Sequence, residues 1–285
     1  MIKLIFCDMD GTLLDDAGQM PPMFDEVVGE ILHRGAVFCP ASGRQYSALL
    51  RQMGRYIDDF IFVAENGTFV ARHDEELFSA ELDGDDVARV LAAGAMVPAA
   101  YPVLCGKRLA YVTERWAPYM ENMRQYFTQC AVVPDLAPIA KEEEIIKVAF
   151  CDAEFGAAEE RIYPPLSRLD GPVRVVLSSH YWVDVMRPGV NKGVAVRQLQ
   201  KLLGVTPEEC AAFGDYLNDV EMLSAVGHSF AMANAHPDVK EAAREEIPPN
   251  TAYGVMTKLR ELLDAGAIGA HEDRGKVMGE EGARP

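Results

Sequence analysis

Positive charge is scarce in this chain. Its 27 lysines and arginines face 44 aspartates and glutamates, a formal net charge of −17. A surface of that sign repels nucleic acid and anionic membrane, so neither is an expected partner. It also sets a problem for any anionic substrate, which needs a cation brought to it locally. Paired cysteines are missing too. Cys7, Cys39, Cys105, Cys130, Cys151 and Cys210 form no CxxC and fall at no metal-ligand spacing. Cys7, Cys39 and Cys210 sit in or beside apolar runs, where cysteine acts as a small core residue. Reduced thiols are the expectation, and with them a reducing, cytoplasmic setting. Long apolar runs are absent as well. The longest uncharged stretch, Val90–Gly106, is broken by Pro98 and Pro102 and is too short to span a bilayer. The opening apolar run is cut by Asp8 and Asp10 and is too short for a signal peptide. No internal repeat is visible.

What is present is ordinary globular material. Half the residues are hydrophobic and a quarter charged, over a length that suits one large or two medium domains. Ile2–Phe6 reads as a buried strand. Pro22 opens a helix that Gly35 closes. A strand at Ala36–Pro40, a helix at Arg44–Met53 and a strand at Phe60–Ala64 follow. That alternation implies βαβ units and a parallel sheet. The rhythm then changes. Thr68–Ala71 and Leu77–Ala80 suggest a hairpin. Residues from Asp83 to Met186 suggest paired strands between helices, among them helices at Trp116–Gln129 and Phe155–Leu166. Parallel rhythm returns with a helix at Lys192–Leu203, a strand at Cys210–Phe213, a short helix at Asp219–Ala225, a strand at Ser229–Met232 and a closing helix at Tyr253–Leu263. From Gly266 the chain is polar and glycine-rich, and fraying is expected.

Ligands of parallel α/β sheets bind outside the carboxyl ends of the strands. The residues after each expected strand are therefore the candidates. They are Asp8, Asp10, Gly11 and Thr12; Ser42, Gly43 and Arg44; Glu65, Asn66 and Gly67; and Asp215, Asn218 and Asp219. Lys192 opens a helix in VNKG, after Asn191. Two carboxylates one residue apart repel, and each raises the other's pKa unless something offsets them. Asp8, Asp10 and Asp215 offer oxygen ligands suited to a hard cation such as Mg²⁺, which relieves that repulsion. Ser42, with the Gly43 and Arg44 amides at a helix start, can cradle a phosphate. Lys192 adds a positive charge at the same edge.

DMDGT, the serine of ASGR, the lysine of NKG and GDYLND, in that order, resemble the four motifs of the haloacid dehalogenase-like superfamily. The long insertion between the second and third motifs, together with AENG, resembles the Cof-type phosphatases with a subclass IIB cap. The resemblance spans roughly residues 1 to 265. It implies a Rossmann-like parallel sheet core with an inserted α+β cap: residues 1–82 and 187–270 as core and 83–186 as cap. By composition, 271–285 is expected to be a flexible tail. The resemblance also implies roles. Asp8 is the nucleophile, giving an aspartyl-phosphate, and Asp10 is the general acid and base. Mg²⁺ is held by the Asp8 and Asp215 side chains and the Asp10 backbone carbonyl. Ser42, Gly43 and Lys192 bind the phosphoryl group, and Asn218 and Asp219 support them. Arg44, Asn66 and Asn191 are candidate substrate contacts.

The expected activity is a Mg²⁺-dependent phosphatase acting on a small phosphorylated metabolite, foremost a sugar phosphate. A phosphomutase or phosphotransferase on the same scaffold is the alternative, because the motifs do not separate the two. A phospho-acceptor signalling module is more distant: such modules lack an acid–base group two residues beyond the phosphorylated aspartate. The apolar stretch around Leu91–Leu104 fits core and interface equally, so the sequence sets no oligomeric state.

Overall fold

The structure, a computed structural model, describes residues 1–73, 75–124, 126–154 and 156–269. The opening apolar run forms strand β1 (Leu4–Cys7), buried at every position. Burial on both faces is the pattern of an interior strand of a covered parallel sheet. Helix α1 (Phe24–His33) turns Phe24, Val27, Val28 and Ile31 onto that sheet. β2 (Val37–Pro40), α2 (Tyr46–Met53) and β3 (Phe62–Ala64) follow. β3 meets the end of β2 through a bridge between Ala41 and Val63, beside an Ile61 amide that donates to the Phe38 carbonyl. It then joins β4 (Phe69–Arg72) and β5 (Glu75–Ser79) in an antiparallel sheet of three strands. The expected hairpin is present, while the third parallel strand is the hinge between two sheets.

The inserted segment begins with α3 (Gly84–Ala95), whose N-cap Asp83 accepts a hydrogen bond from the Asp85 amide. β6 (Tyr101–Gly106), β7 (Ala110–Val112), the short α4 (Met120–Met123), β8 (Cys130–Val132) and α5 (Ile139–Glu142) come next. β9 (Ile145–Cys151), α6 (Ala158–Arg161), α7 (Tyr163–Leu166), β10 (Arg174–Leu177) and β11 (Trp182–Met186) complete it. The strands form one six-stranded sheet in the order β10-β11-β9-β6-β7-β8. One face of that sheet packs on α3, with Val90 against Phe150 and Leu104 in a common apolar cluster. Val103, Ala149 and Trp182 belong instead to the larger cluster that runs through the parallel sheet.

The chain returns with α8 (Lys192–Leu203), β12 (Cys210–Gly214), α9 (Val220–Leu223), β13 (His228–Met232), α10 (Pro237–Ala242), β14 (Glu245–Ile247) and α11 (Gly254–Asp264). The core sheet is parallel throughout, in the order β14-β13-β12-β1-β2. The α/β expectation with a parallel core therefore holds.

Several local expectations need correction. Trp116–Gln129 is not one helix: a 3-10 turn at Glu114–Tyr119 contains Pro118, α4 is a single turn, and β8 follows. Trp116 is anchored there by its indole N–H on the Pro102 carbonyl, 2.8 Å away, and Arg115 lies over the Tyr101 ring. The helix expected from residue 155 is two short pieces, α6 and α7, with the prolines in the first turn of the second. The 219–225 helix is a 3-10 turn at Leu217–Asp219 followed by α9. Nor does the chain fray at Gly266. Ile268 is buried and bridges Ile2, whose amide donates to the Ala267 carbonyl. The tail expected at 271–285 lies outside the described residues.

Candidate active site

Register in the core sheet brings the chain ends together. Leu4 pairs with Cys210 and Cys7 with Phe213, so the loops after β1 and β12 leave the sheet side by side. β2 lies on the other side of β1, and Lys192 arrives from the start of α8. The four motifs thus converge at one sheet edge.

Lys192 is completely buried between two carboxylates. Its Nζ donates to Asp8 Oδ1 at 2.5 Å and to Asp219 Oδ1 at 2.7 Å. Burial alone would strip its proton, but Asp219 and Asp8 outweigh that and hold the ammonium charged. The other oxygen of Asp219 accepts the backbone amides of Asp215 (3.1 Å) and Tyr216 (3.2 Å). Both oxygens of Asp219 are therefore committed, which makes it a brace for the lysine and for the turn after β12. Burial pushes the Asp8 carboxyl well above the usual range, with Lys192 opposing the shift.

Asp215 sits beside this pair. Thr12 donates its hydroxyl to Asp215 Oδ1 at 2.7 Å. Burial, reinforced by Asp219, pushes the Asp215 carboxyl up to about 7. Gly11 allows the close approach. Its φ is +82°, and a Cβ there would stand 2.4 Å from Asp215 Oδ2. Carboxylate oxygens of Asp8, Asp215 and Asp219 all lie within 4.8 Å of one another. With Oδ1 of Asp8 taken by Lys192 and Oδ1 of Asp215 by Thr12, Oδ2 of each remains for a ligand. An all-oxygen set in a partly desolvated, electronegative cradle fits a hard divalent cation.

Asp10 does not turn its side chain into that cradle. It is half-exposed and bound in bidentate fashion by Arg44, with Nε to Oδ2 at 2.7 Å and Nη2 to Oδ1 at 2.5 Å. Arg44 also stacks over Tyr126 and donates to Gln52. Ser42 is buried, and its Oγ accepts the Arg44 amide at 3.1 Å. α2 begins only at Tyr46, so the Gly43 and Arg44 amides are not first-turn helix amides, contrary to the sequence reading. They belong to a turn of their own, tightened by that serine. Gly43 and Ser42 nevertheless line the same cavity as Asp8.

Asn66 and Asn218 meet, with Asn218 Nδ2 donating to Asn66 Oδ1 at 2.9 Å. Asn66, held at φ +58°, donates in turn to Ser178 Oγ (3.0 Å) and to Asp184. Asn191 is used differently. Its Oδ1 caps α8 by accepting the Val194 amide at 2.8 Å, and it is not among the residues lining the cavity. The cavity measures about 130 Å³ and runs between the sheet edge and the inserted segment. Its far wall carries Tyr126, Phe127, Lys147, Ser178, Trp182 and Asp184.

Lys147 and Asp184 are functional candidates that the sequence reading passes over. Both are almost fully buried, and Lys147 Nζ lies 2.5 Å from Glu65 Oε2 and 3.5 Å from Asp184 Oδ1. Burial works against the charge on Lys147, but Asp184 and Glu65 together raise its pKa. Burial pushes Glu65 up, and Lys147 opposes that shift. The signal was available: IIKVAFC and WVDVM each place one charge inside an otherwise apolar strand.

A parallel α/β sheet whose strand tips gather carboxylates around a buried lysine is an acid–cation site at the place where such sheets bind ligands. The chain belongs to the haloacid dehalogenase-like hydrolases, matching that family over residues 5–259. It is 32% identical to the Escherichia coli 5-amino-6-(5-phospho-D-ribitylamino)uracil phosphatase YbjI, over 92% of this chain and 96% of that one. The crystal structure of SMU.1108c from Streptococcus mutans UA159 superposes with a TM-score of 0.84 at 25% identity, covering 93% of this chain and all of the other. The subclass IIB sugar phosphatase BT4131 shares the fold, with a TM-score of 0.75 at 20% identity over 91% of this chain and 98% of its own.

Proposed function

We propose that this phosphatase hydrolyses small phosphorylated metabolites of the sugar-phosphate type through a phosphorylated Asp8, with Mg²⁺ at Asp8 and Asp215. The observation that carries this reading is the Lys192–Asp8 contact of 2.5 Å at the floor of a cavity also lined by Ser42 and Gly43. Asp8 and the Ser42–Gly43 turn face the same space, and Lys192 backs Asp8 from the buried side. In the resemblance-based reading, residues 1–82 and 187–270 are the catalytic unit and 83–186 the cap above it.

Each step then falls to a named side chain. Lys192 holds one oxygen of Asp8 and orients the other toward phosphorus. Asp8 attacks, the ester P–O bond breaks, and Asp10 gives the leaving oxygen its proton. Asp10 next takes a proton from water, which attacks phosphorus and releases Asp8. Asp10 must exchange Arg44 for the leaving group to do this, so Arg44 guards the step. Ser42 and the Gly43 turn receive the phosphoryl oxygens. Bound Mg²⁺ supplies neutralisation of the crowded negative charge. Charge stabilisation and positioning carry most of an acceleration that reaches ~10²¹-fold for phosphate monoesters. A positioned acid–base group adds only about 10²–10⁴.

Substrate size follows from the cavity. About 130 Å³ of room suits a small leaving group, and Ser178, Ser179, Asp184 and Asn218 on its walls suit hydroxyls. The ribityl phosphate in the name of the Escherichia coli relative is such a hydroxylated chain. Six free thiols support the reducing, cytoplasmic setting.

The test is phosphate release from a panel of sugar phosphates, polyol phosphates, nucleotides and flavin mononucleotide. Each is run with Mg²⁺, with EDTA and with Asp8→Asn protein. Metal-dependent turnover that Asp8→Asn loses is the expected result. Turnover that survives Asp8→Asn sinks the reading. Transfer to a second sugar hydroxyl without ¹⁸O entering from labelled water turns it into a mutase.

A further inference from the structure

Lys147 poses a question of stability. A lysine that is 2% exposed, held between Glu65 and Asp184, gains little for the fold over well-packed apolar residues of similar volume. Its presence calls for another reason. Strand alternation puts Lys147 on the same face of β9 as Ala149, and register sets Asp184 of β11 opposite Ala149. That face meets the parallel sheet.

The third contact of Lys147 supplies the reason. Its Nζ donates to the backbone carbonyl of Gly43 at 2.8 Å. That carbonyl and the Arg44 N–H belong to one peptide unit, which is planar. The N–H end is held by Ser42 Oγ at 3.1 Å. Lys147 therefore fixes one end of a rigid plate whose other end fixes the Ser42 hydroxyl. Rotation of the plate releases both bonds together. The neighbouring turn is tied in as well: the Glu65 amide donates to the Arg44 carbonyl at 3.0 Å, and the Asn66 amide to the Ser42 carbonyl at 2.9 Å. Glu65 and Asn66 are both held at positive φ, 50° and 58°. Two non-glycine residues in that region persist only where surroundings over-determine them.

We propose that Lys147 is a positioning residue for the phosphoryl-binding turn, acting from the six-stranded sheet through the Gly43–Arg44 peptide onto Ser42. Asp184 and Glu65 keep its ammonium charged, and the Gly43 carbonyl is the group it holds. The proposal rests on Ser42 as a phosphoryl ligand, so the experiment carries a separate arm for that reading.

Inorganic phosphate is the probe, with its affinity measured by calorimetry in Mg²⁺ alongside kcat and KM on the best substrate of the panel. Lys147→Met and Glu65→Gln break the same ion pair, but only the first removes the donor to Gly43. Lys147→Met is expected to lower kcat/KM by about 10²-fold, the cost of misplacing a binding group by about 1 Å, and to weaken phosphate binding. Glu65→Gln is expected to keep phosphate affinity near that of the parent. If Glu65 and Asp184, buried without their cation, prevent Lys147→Met from folding, the Lys147→Met/Glu65→Gln/Asp184→Asn triple variant removes all three charges and carries the same expectation. Equal losses in Lys147→Met and Glu65→Gln mean a structural role only and overturn the proposal. So does phosphate affinity unchanged in Lys147→Met while Ser42→Ala weakens it. Phosphate affinity unchanged in Ser42→Ala removes the reading of Ser42 itself, and the proposal with it.

Discussion

Lys192 reaches Asp8 from the first turn of α8, Nζ to Oδ1 at 2.5 Å, and the same ammonium holds Asp219 at 2.7 Å. One lysine thereby serves two acids that would otherwise face each other in a buried space. Lys192→Met leaves both carboxylates without their cation. Breaking such a buried pair from one side costs about 3–5 kcal/mol. Asp8→Asn leaves Lys192 with Asp219 and is expected to fold nearly as well as the parent. Urea unfolding in EDTA checks both: a large drop in midpoint for Lys192→Met and a small one for Asp8→Asn. Neither variant should turn over substrate.

Gly11→Ala is expected to disable the site without touching a reacting group. The residue sits at φ +82°, and its Cβ would stand 2.4 Å from Asp215 Oδ2. Asp215 must move, and its Thr12 bond with it. Displacement of that order costs about 10²-fold in kcat/KM. Steady-state kinetics over a Mg²⁺ titration reads the outcome as a weaker metal requirement curve and a lower plateau.

Mg²⁺ should stabilise the fold in its own right. A ligand bound to the native state alone, at a concentration 100 times its Kd, contributes about 2.7 kcal/mol. Thermal melts with and without EDTA measure the shift. Asp215→Asn, which removes one of the carboxylates in the cradle, should abolish most of it. An unchanged Mg²⁺ shift in Asp215→Asn would place the ion elsewhere.

All six cysteines are free thiols, and burial holds them protonated. Cys130 and Cys210 are pushed up to about 11 and Cys151 to about 12. The nucleophilic thiolate therefore forms only as the pH rises toward 11, above the ordinary thiol range. Iodoacetamide at pH 8 should label the native protein slowly, and six equivalents should enter in urea. Mass spectrometry counts the adducts, and rapid native labelling of Cys7, Cys39, Cys105, Cys151 or Cys210 contradicts their burial.

Much of this was legible because the signals are local. Each candidate tip follows an apolar run by a residue or two, so Asp8, Ser42 and Asp215 could be named from spacing alone. Lys192 needed only the helix that it opens. What escaped depends on partners distant in the chain. The 116–129 stretch has a helical look, but Trp116 is claimed by Pro102 and Arg115 by Tyr101, which fixes a 3-10 turn instead. β14 was missed because Glu245 and Glu246 are exposed on an edge strand and only Ile247 is buried. The helix start at Tyr46 rather than Arg44 reflects the Ser42 hydroxyl taking the Arg44 amide, a competition that favours turns over helix. Lys147 and Asp184 were passed over although each is a charge in an apolar strand, and nothing in their own neighbourhood names Glu65 or Gly43.

The pairing of Leu4 with Cys210 has a consequence for synthesis. β1 is an interior strand, flanked by β2 on one side and β12 on the other. On the ribosome its first neighbour appears early, while the second waits for nearly the whole inserted segment to emerge. Through that interval a fully apolar strand presents an open edge, the kind of surface that draws nascent chains into aggregates. The DxD tip is then a pair of acids with neither Lys192 nor Asp215 yet made. Its charge burdens the nascent chain and also keeps that exposed edge soluble.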